Sequence, residues 1–368
     1  MHLAFLGWGT AVPEGTLFQE EALELARSLC PQSEEQLNWL PKWYSQTGIK
    51  TRGIILGRPV LDDILQKKNE TGSPFIPNGK PDDLGPTTAQ RMEHFQTLGP
   101  PLALLASQQA LENAKISPEN FSHLITVTCT GFFSPGFDYH LIQNLSLSPS
   151  VARTQVGFMG CHGSLNGLRV AHAFVKSQPD AKVLLSSLEL CSTHFHYGWD
   201  PQKIIANALF ADGAASVVLG ASDNVSKETW KLASSGSCIL PDSANAMTWN
   251  IGDHGFEMTL AKQVPGLIKK HLKPWLEQWL AKSGLKLDDI KSWALHPGGP
   301  RILTAIEDAL SLPAQASEIS REILSNHGNM SSATLLFILK KMAEIEAPRP
   351  CVALGFGPGL AAEAALFI

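Results

Sequence analysis

The chain has 368 residues, of which 44% are hydrophobic and 17% charged, and this is enough apolar material for a large packed core. Its 29 Lys and Arg residues against 34 Asp and Glu give a net charge of −5 without a basic run. This balance argues against nucleic acid or an anionic membrane surface as a partner. The composition therefore predicts a core-rich protein of enzyme size.

The cysteines and the N-terminus indicate a cellular compartment. No CxxC spacing occurs, and most of the cysteines lie in apolar segments, which is typical of a reducing cytoplasm. The six are Cys30, Cys129, Cys161, Cys191, Cys238 and Cys351. The N-terminus has no basic leader and no apolar stretch reaches membrane-spanning length, so we expect a cytoplasmic protein without a secretion signal or a membrane span.

Strand and helix patterns alternate along the chain. The first part predicts strands at 3–7, 124–129, 182–189 and 214–220 and helices at 20–28, 101–115, 139–145 and 164–176. A hydrophilic crossing at 222–227 precedes strands at 230–233, 292–296, 351–355 and 364–367 and helices at 260–283, 301–312 and 333–345. We therefore predict the α/β class, with one half at 1–222 and a second at 223–368.

Cys161 follows an apolar run and immediately precedes the predicted helix at 164–176. Its neighbours Gly160 and, after His162, Gly163 allow a sharp strand-to-helix turn. The positive end of the helix dipole lowers the pKa of a thiol placed there and favours the thiolate. Taken alone, the residue reads equally as a buried core cysteine, so the nucleophile hypothesis depends on distant partners.

Two other loop-to-helix junctions supply those partners. His296 ends an apolar strand and is followed by a Pro/Gly turn, while Asn329 lies in a glycine-bearing turn that opens the helix at 333–345. Alone, the first is explained as a capping or core histidine and the second as a turn residue. Junctions of this kind expose side chains at fixed positions, so Cys161, His296 and Asn329 together predict a catalytic site between the halves.

From about residue 48 to the C-terminus the chain resembles the chalcone-synthase-like type III polyketide synthases of the thiolase superfamily. The motifs that carry the resemblance are Gly160-Cys161, 208–215 (ALFADGAA), 296–300 (HPGGP), 328–333 (GNMSSA) and 355–359 (GFGPG). It implies a thiolase-like fold of two similar α/β halves in five layers, αβαβα. It also implies a homodimer that takes coenzyme A thioesters as substrates and needs no cofactor or metal.

The resemblance assigns the catalytic roles. Cys161 would accept an acyl group from an acyl-CoA, with His296 as its ion-pair partner. His296 and Asn329 would donate hydrogen bonds to the thioester oxygen of malonyl-CoA and hold the enolate that forms as carbon dioxide leaves. Phe210 would shield the decarboxylating group from water, although its residue type alone is also explained by core packing.

The resemblance also suggests substrate-binding residues. Lys50, Arg52 and Arg301 are cationic candidates for the coenzyme A phosphates, which solvated surface charge explains nearly as well. Gly298 and Gly299 could let the backbone approach the pantetheine arm. The positions expected to line the acyl cavity are Cys129, Thr130, Ser134, Cys191, His194, Trp249 and Met258.

The stretch 247–258 resembles bacterial members of the family that extend long fatty acyl starters into alkylpyrones or alkylresorcinols. Trp249 would fill part of the extension cavity, unless it is a surface or interface aromatic. Two alternatives stay open: a single condensation like that of the ketosynthase III enzymes, which act with an acyl carrier protein, and a scaffold that binds acyl chains without chemistry. The starter, the number of extensions and the mode of ring closure are not fixed by the sequence.

Overall fold

The computed structural model describes residues 2–30, 33–80, 82–221 and 229–368. The strands in these ranges are β1 (Leu3–Ala11), β2 (Thr16–Phe18), β3 (Thr51–Gly53), β4 (His123–Thr128), β5 (Ala152–Gly157), β6 (Val183–Leu190), β7 (Asp212–Ala221), β8 (Lys231–Ile239), β9 (Met247–Gly252), β10 (Gly255–Leu260), β11 (Ser292–Leu295), β12 (Cys351–Gly357) and β13 (Ala361–Phe367). The division predicted between residues 222 and 223 lies outside the described residues and stays a prediction.

The helices frame these strands. They are α1 (Gln19–Leu29), α2 (Glu34–Leu37), α3 (Trp39–Ser45), α4 (Arg58–Gln66), α5 (Thr88–Ala114), α6 (Phe137–Leu145), α7 (Gly163–Ser177), α8 (Pro201–Leu209), α9 (Val264–Ala281), α10 (Pro300–Leu310), α11 (Glu318–His327) and α12 (Thr334–Glu344). The sequence patterns did not predict five of them, α2, α3, α4, α8 and α11. Within the described ranges, none of the helices has the length and apolarity needed to span a membrane.

Nine strands form one sheet in the order β11-β12-β13-β8-β1-β7-β6-β4-β5. Strand β1 joins its two parts, because it pairs along its length with β7 but only through Leu3 and Ala4 with β8. In the first part, the β1–β7 and β7–β6 pairs are antiparallel and the β6–β4 pair is parallel. In the second part, the β8–β13 and β13–β12 pairs are antiparallel and the β12–β11 pair is parallel. The second part thus repeats the strand order of the first without a counterpart of β5.

Three apolar clusters define the layers. The buried faces of α7 and α12 share one cluster with strands from both parts of the sheet, so these two helices form the central layer. Helices α5 and α6 pack on the outer face of the first part. Helices α9 and α10 pack on the outer face of the second part. The arrangement is the αβαβα order of a thiolase-like fold, which confirms the predicted fold class.

A hairpin that the sequence patterns did not predict covers the site. Strands β9 and β10 pair from Gly252 and Gly255 at the turn to Met247 and Leu260 at the open end, as a separate two-stranded sheet. Thr88, at the start of α5, fixes the turn: its backbone N donates to the carbonyl of Asp253 at 2.8 Å, and its Oγ1 accepts from Gly255 N at 2.9 Å. The hairpin belongs to the second part of the chain, but hydrogen bonds from Thr88 in the first part hold its turn in place.

Candidate active site

Cys161 lies in a single 3₁₀ turn, Gly160–His162, between β5 and α7, as the sequence predicted. Gly160 has φ +79°, and a Cβ atom added there would lie 2.3 Å from Cδ of Pro358. The turn therefore requires glycine both for its backbone angle and for the close approach of the chain at Pro358. Cys161 itself is buried, so its sulfur can be reached only through the internal cavities described below.

The structure favours a protonated thiol at Cys161, whereas the sequence favoured a thiolate. Burial raises the pKa of the thiol to about 12, and the neighbouring polar side chains of Ser331 and Asn329 offset only part of that rise. Burial also lowers the pKa of His296 to about 3. Taken separately, both groups are neutral because of this burial. An ion pair requires the attraction between thiolate and imidazolium to exceed both burial costs, and it stays a prediction.

His296 directly follows β11 and is fixed through its backbone, whose N donates to the carbonyl of Leu354 at 2.8 Å. Its side chain is buried, yet neither Nδ1 nor Nε2 has a hydrogen-bond partner among the residues that the structure describes. Buried polar groups are nearly always paired, so two orphan ring nitrogens in a cavity indicate that a substrate atom is the intended partner.

Asn329 is held by the segment that carries Phe210. Its backbone N donates to the carbonyl of Leu209 and its carbonyl accepts from Ala211 N, both at 2.9 Å. Its Oδ1 accepts from Ser331 N at 2.9 Å, which fixes the amide so that Nδ2 is the free donor. The amide lies near enough to Cys161 to lower the pKa of the thiol, and within the described part of the chain Nδ2 has no hydrogen-bond partner.

Gly328 explains why the loop before Asn329 can follow this path. It ends α11 with φ +71°, and a Cβ atom there would lie 2.8 Å from Cβ of Ala211. A side chain would push the Asn329 loop away from the segment after α8. The predicted catalytic trio of Cys161, His296 and Asn329 is therefore brought together by backbone contacts between distant parts of the chain.

Two cavities meet at Cys161. The first, about 750 Å³ including its opening to solvent, is lined in part by residues predicted to contact the acyl group: Cys129, Thr130, Cys191, His194, Trp249 and Met258. The second, about 540 Å³ including its opening, is lined by His296, Asn329 and Gly298, among others. The residues that line both are Cys161, Ala206, Phe210, Met247 and Met258. The nucleophile and Phe210 thus stand at the junction, which agrees with a shielding position for Phe210.

Side chains of the first cavity are fixed in orientation. Trp249 Nε1 donates to the carbonyl of Cys129 at 2.8 Å. His194 Nε2 donates to the carbonyl of Thr130 at 2.7 Å, and its Nδ1 accepts from Phe256 N at 2.9 Å. Burial lowers the pKa of His194 to about 3, so this pattern defines one neutral tautomer. His194 and Trp249 therefore tie the hairpin to the loops after β4 and β6, and the indole of Trp249 occupies the cavity wall as predicted.

Glu189 is a buried carboxylate beside the nucleophile that sequence reasoning missed. It accepts hydrogen bonds from Cys129 N at 3.0 Å, Thr130 Oγ1 at 2.7 Å and the hydroxyl of Ser332. Burial raises its pKa to about 7, and its negative charge raises the pKa of Cys161. The available signal was a single carboxylate in the otherwise uncharged strand β6.

Arg52 does not face coenzyme A, and the predicted phosphate contact is wrong for this residue. Its side chain is 1% exposed. Nη1 donates to the carbonyls of Asn207 at 2.8 Å and Phe210 at 2.9 Å, and Nη2 donates to that of Ala208 at 2.6 Å. These carbonyls are at the C-terminal, negative end of α8, which favours a cation there. Arg52 therefore fixes the segment on which Phe210 and Asn329 depend.

The remaining predicted residues fall into two groups. Lys50 and Arg301 are exposed and line neither cavity, so their contact with coenzyme A stays a prediction. Ser134 is also exposed and lines neither cavity, and its predicted place in the wall is wrong. Gly299 has φ +150° at the start of α10 and lines neither cavity, unlike Gly298. Further lining residues that the sequence reasoning missed are His196, Lys203, Met247, His254, Phe256 and Glu257.

Comparison with known proteins agrees with this site. The family profiles of chalcone and stilbene synthases match residues 2–223 with the N-terminal domain and residues 231–368 with the C-terminal domain. The chain is 34% identical over 288 residues to an "Alpha-pyrone synthesis polyketide synthase-like Pks18" of Mycobacterium tuberculosis, covering 76% of this chain and 73% of that protein. It is 31% identical over 359 residues to the 1,3,6,8-tetrahydroxynaphthalene synthase of Streptomyces peucetius subsp. caesius, covering 96% and 90%.

Solved structures give the same result. The crystal structure of PKS-I from the brown alga Ectocarpus siliculosus superposes with a TM-score of 0.91 at 29% identity, over 100% of this chain and 98% of that one. A fungal type III polyketide synthase, ORAS, superposes with a TM-score of 0.84 at 26% identity, over 100% and 99%. Fold and site together define an acyltransferase of the thiolase-like fold. The chain belongs to the chalcone and stilbene synthase family and is a type III polyketide synthase.

Proposed function

We propose that the enzyme loads a fatty acyl group from its coenzyme A thioester onto Cys161 and extends it by decarboxylative condensation with malonyl-CoA. The observation that carries this proposal is the junction of two cavities at the nucleophile. One cavity is lined largely by apolar and aromatic side chains, and the other holds the unpaired donors of His296 and Asn329. The acyl chain and the extender unit thus have separate cavities, which meet at the sulfur of Cys161.

In the loading step, Cys161 is the nucleophile. In the ion pair predicted for the site, the proton of the Cys161 thiol lies on His296. The thiolate attacks the thioester carbonyl, the carbon–sulfur bond to coenzyme A breaks, and the departing thiolate of coenzyme A takes up that proton and leaves as a thiol. The acyl chain then lies in the first cavity. Each methylene buried there contributes about 0.8 kcal/mol, so a long alkyl starter gains more than a short one. The indole of Trp249 and the ring of Phe256 supply aromatic surface for such a chain.

Extension uses the second cavity. The thioester oxygen of malonyl-CoA would accept hydrogen bonds from a protonated ring nitrogen of His296 and from Nδ2 of Asn329. Loss of carbon dioxide leaves an enolate whose oxygen charge these donors stabilise. Its carbon attacks the acyl carbonyl on Cys161, and the sulfur leaves as thiolate. Phe210, at the junction of the cavities, would keep water from protonating the enolate.

The product we propose is an alkylpyrone or an alkylresorcinol, formed by ring closure of the extended chain. The relative from Mycobacterium tuberculosis carries alpha-pyrone synthesis in its name, and the apolar first cavity supports an alkyl substituent. The cytoplasmic location and the homodimer expected from the resemblance remain part of this proposal. So does direct use of acyl-CoA, without a carrier protein.

Incubation with radiolabelled malonyl-CoA and a panel of saturated acyl-CoA starters tests the proposal. We expect release of labelled carbon dioxide, acyl loading visible by intact-protein mass spectrometry, and products extended by more than one malonyl unit. Cys161→Ala should fold normally and form no acyl-enzyme, whereas Cys191→Ala, a matched thiol in the first cavity, should still load. A single extension would favour the ketosynthase III-like alternative, and absence of carbon dioxide release would favour the scaffold.

A further inference from the structure

A third, smaller cavity lies beneath α1, next to the first cavity. Its walls are Ala22, Leu25, Ala26 and Leu29 of α1, with Tyr44, Phe195 and Asn207. Phe195 and Asn207 also line the first cavity. These two side chains therefore separate the first cavity, where the acyl chain is proposed to lie, from the cavity beneath α1. We call them the partition.

The two halves of this partition differ in how they are held. Asn207 is clamped at both ends of its amide: Oδ1 accepts from His196 N and Nδ2 donates to the carbonyl of His196, each at 2.9 Å. Phe195 is fixed through its backbone, because its N donates to the carbonyl of Ser192 and its carbonyl accepts from Arg91 Nη1, each at 3.1 Å. Its ring packs among apolar side chains, so it is the part of the partition that a substitution can shorten without breaking a hydrogen bond.

The small cavity has the chemistry of an alkyl-binding site. Its α1 residues follow the spacing i, i+3, i+4, i+7, which places four aliphatic side chains on one helix face. Of the described side chains that line it, only Tyr44 and Asn207 carry polar atoms. The group that matches such a wall is the methyl end of a saturated alkyl starter.

We propose that Phe195 is the end wall of the acyl cavity and sets the longest starter, and that the cavity beneath α1 is a latent extension for longer alkyl chains. This inference rests on the proposed loading of fatty acyl groups onto Cys161. The proposal assigns the selection of starter length to Phe195, after β6, and to helix α1. Helix α1 carries none of the predicted catalytic residues.

The test measures acyl-enzyme formation across a saturated acyl-CoA series that increases by two carbons at a time. In Phe195→Ala the longest efficiently loaded starter should become longer, with a gain of about fourfold per newly buried methylene. Phe195→Leu removes less of the ring, disturbs packing less, and should show a smaller shift in the same direction. Phe121→Ala, which truncates a buried phenylalanine that lines none of the three cavities, should leave the length profile unchanged.

A second substitution identifies where the longer chain goes. Adding Ala26→Leu to Phe195→Ala fills the cavity beneath α1 and should cancel the gain. A retained gain in the double variant, or an unchanged profile in both Phe195 variants, would overturn the assignment. An equal gain in Phe121→Ala would overturn it as well, because general loosening would then explain the shift. Failure of the wild type to load any acyl-CoA would instead refute the proposed function on which this inference rests.

Discussion

Asn329→Ala should separate decarboxylation from loading. The substitution removes the unpaired Nδ2 donor but leaves the backbone bonds that hold Asn329 to Leu209 and Ala211. Loss of one donor to a developing oxyanion typically lowers a rate about 100- to 1,000-fold, or about 2.7–4 kcal/mol. We expect malonyl-CoA decarboxylation to fall by that factor, with His296 supplying the residual rate. Loading onto Cys161 should change far less, because the thiol and its turn are untouched.

The assay compares labelled carbon dioxide release with acyl loading measured by intact-protein mass spectrometry on the same preparations. Asn329→Asp is the matched variant, since it keeps the oxygen that accepts from Ser331 N and replaces the donor with a second oxygen. Its buried carboxylate has a desolvation cost of its own, so Tm is measured for both variants and acyl loading shows that each keeps its fold. Asn329→Asp should decarboxylate no faster than Asn329→Ala. Equal loss of both half-reactions, or substantial decarboxylation by Asn329→Asp, would contradict the donor role.

Three further outcomes follow from the site. Glu189→Gln should lower the pH at which iodoacetamide inactivates Cys161, because the negative charge of Glu189 raises the pKa of that thiol; an unchanged or higher pH would exclude this charge effect. Trp249→Gly should change the number of extensions or the mode of ring closure without abolishing loading, and an unaltered product profile by mass spectrometry would contradict its place in the cavity wall. Arg52→Met should lower Tm and slow decarboxylation, because it leaves buried carbonyls at the end of α8 unpaired at about 1–3 kcal/mol each. Lys176→Met, an exposed cation of α7 that lines none of the cavities, is the control and should do neither.

The positions of Cys161, His296 and Asn329 could be predicted from the sequence because each residue stands at a local junction. Cys161 precedes α7, His296 follows β11, and Asn329 follows the glycine that ends α11. Patterns of that length lie within the reach of periodicity and turn rules. Arg52 could not be placed in this way, since its burial depends on carbonyls of α8 more than 150 positions away. The basic turn at 48–52 contains one exposed and one buried cation that the local sequence does not distinguish.

The two largest differences in the fold have physical causes. The first turns of α5 were missed because Pro100 and Pro101 suggest a helix start, whereas the helix begins at Thr88 with a capping box formed by Thr87 and Gln90. That box was readable in the sequence. The β9–β10 hairpin was missed because its strands show no clean alternation of buried and exposed residues. Its stability comes from side-chain contacts with His194 and Thr88 rather than from its own pattern.

The hairpin β9–β10 has a consequence for how such an enzyme can diversify. It carries Trp249, Phe256 and Met258 into the acyl cavity but is a separate two-stranded sheet, whereas Cys161 and His296 stand at the ends of strands in the nine-stranded sheet. Substitutions in the hairpin can therefore reshape the substrate cavity while the geometry of bond formation is inherited unchanged. Exchange of residues 247–260 between relatives is thus a route to new products that keeps the ancestral chemistry.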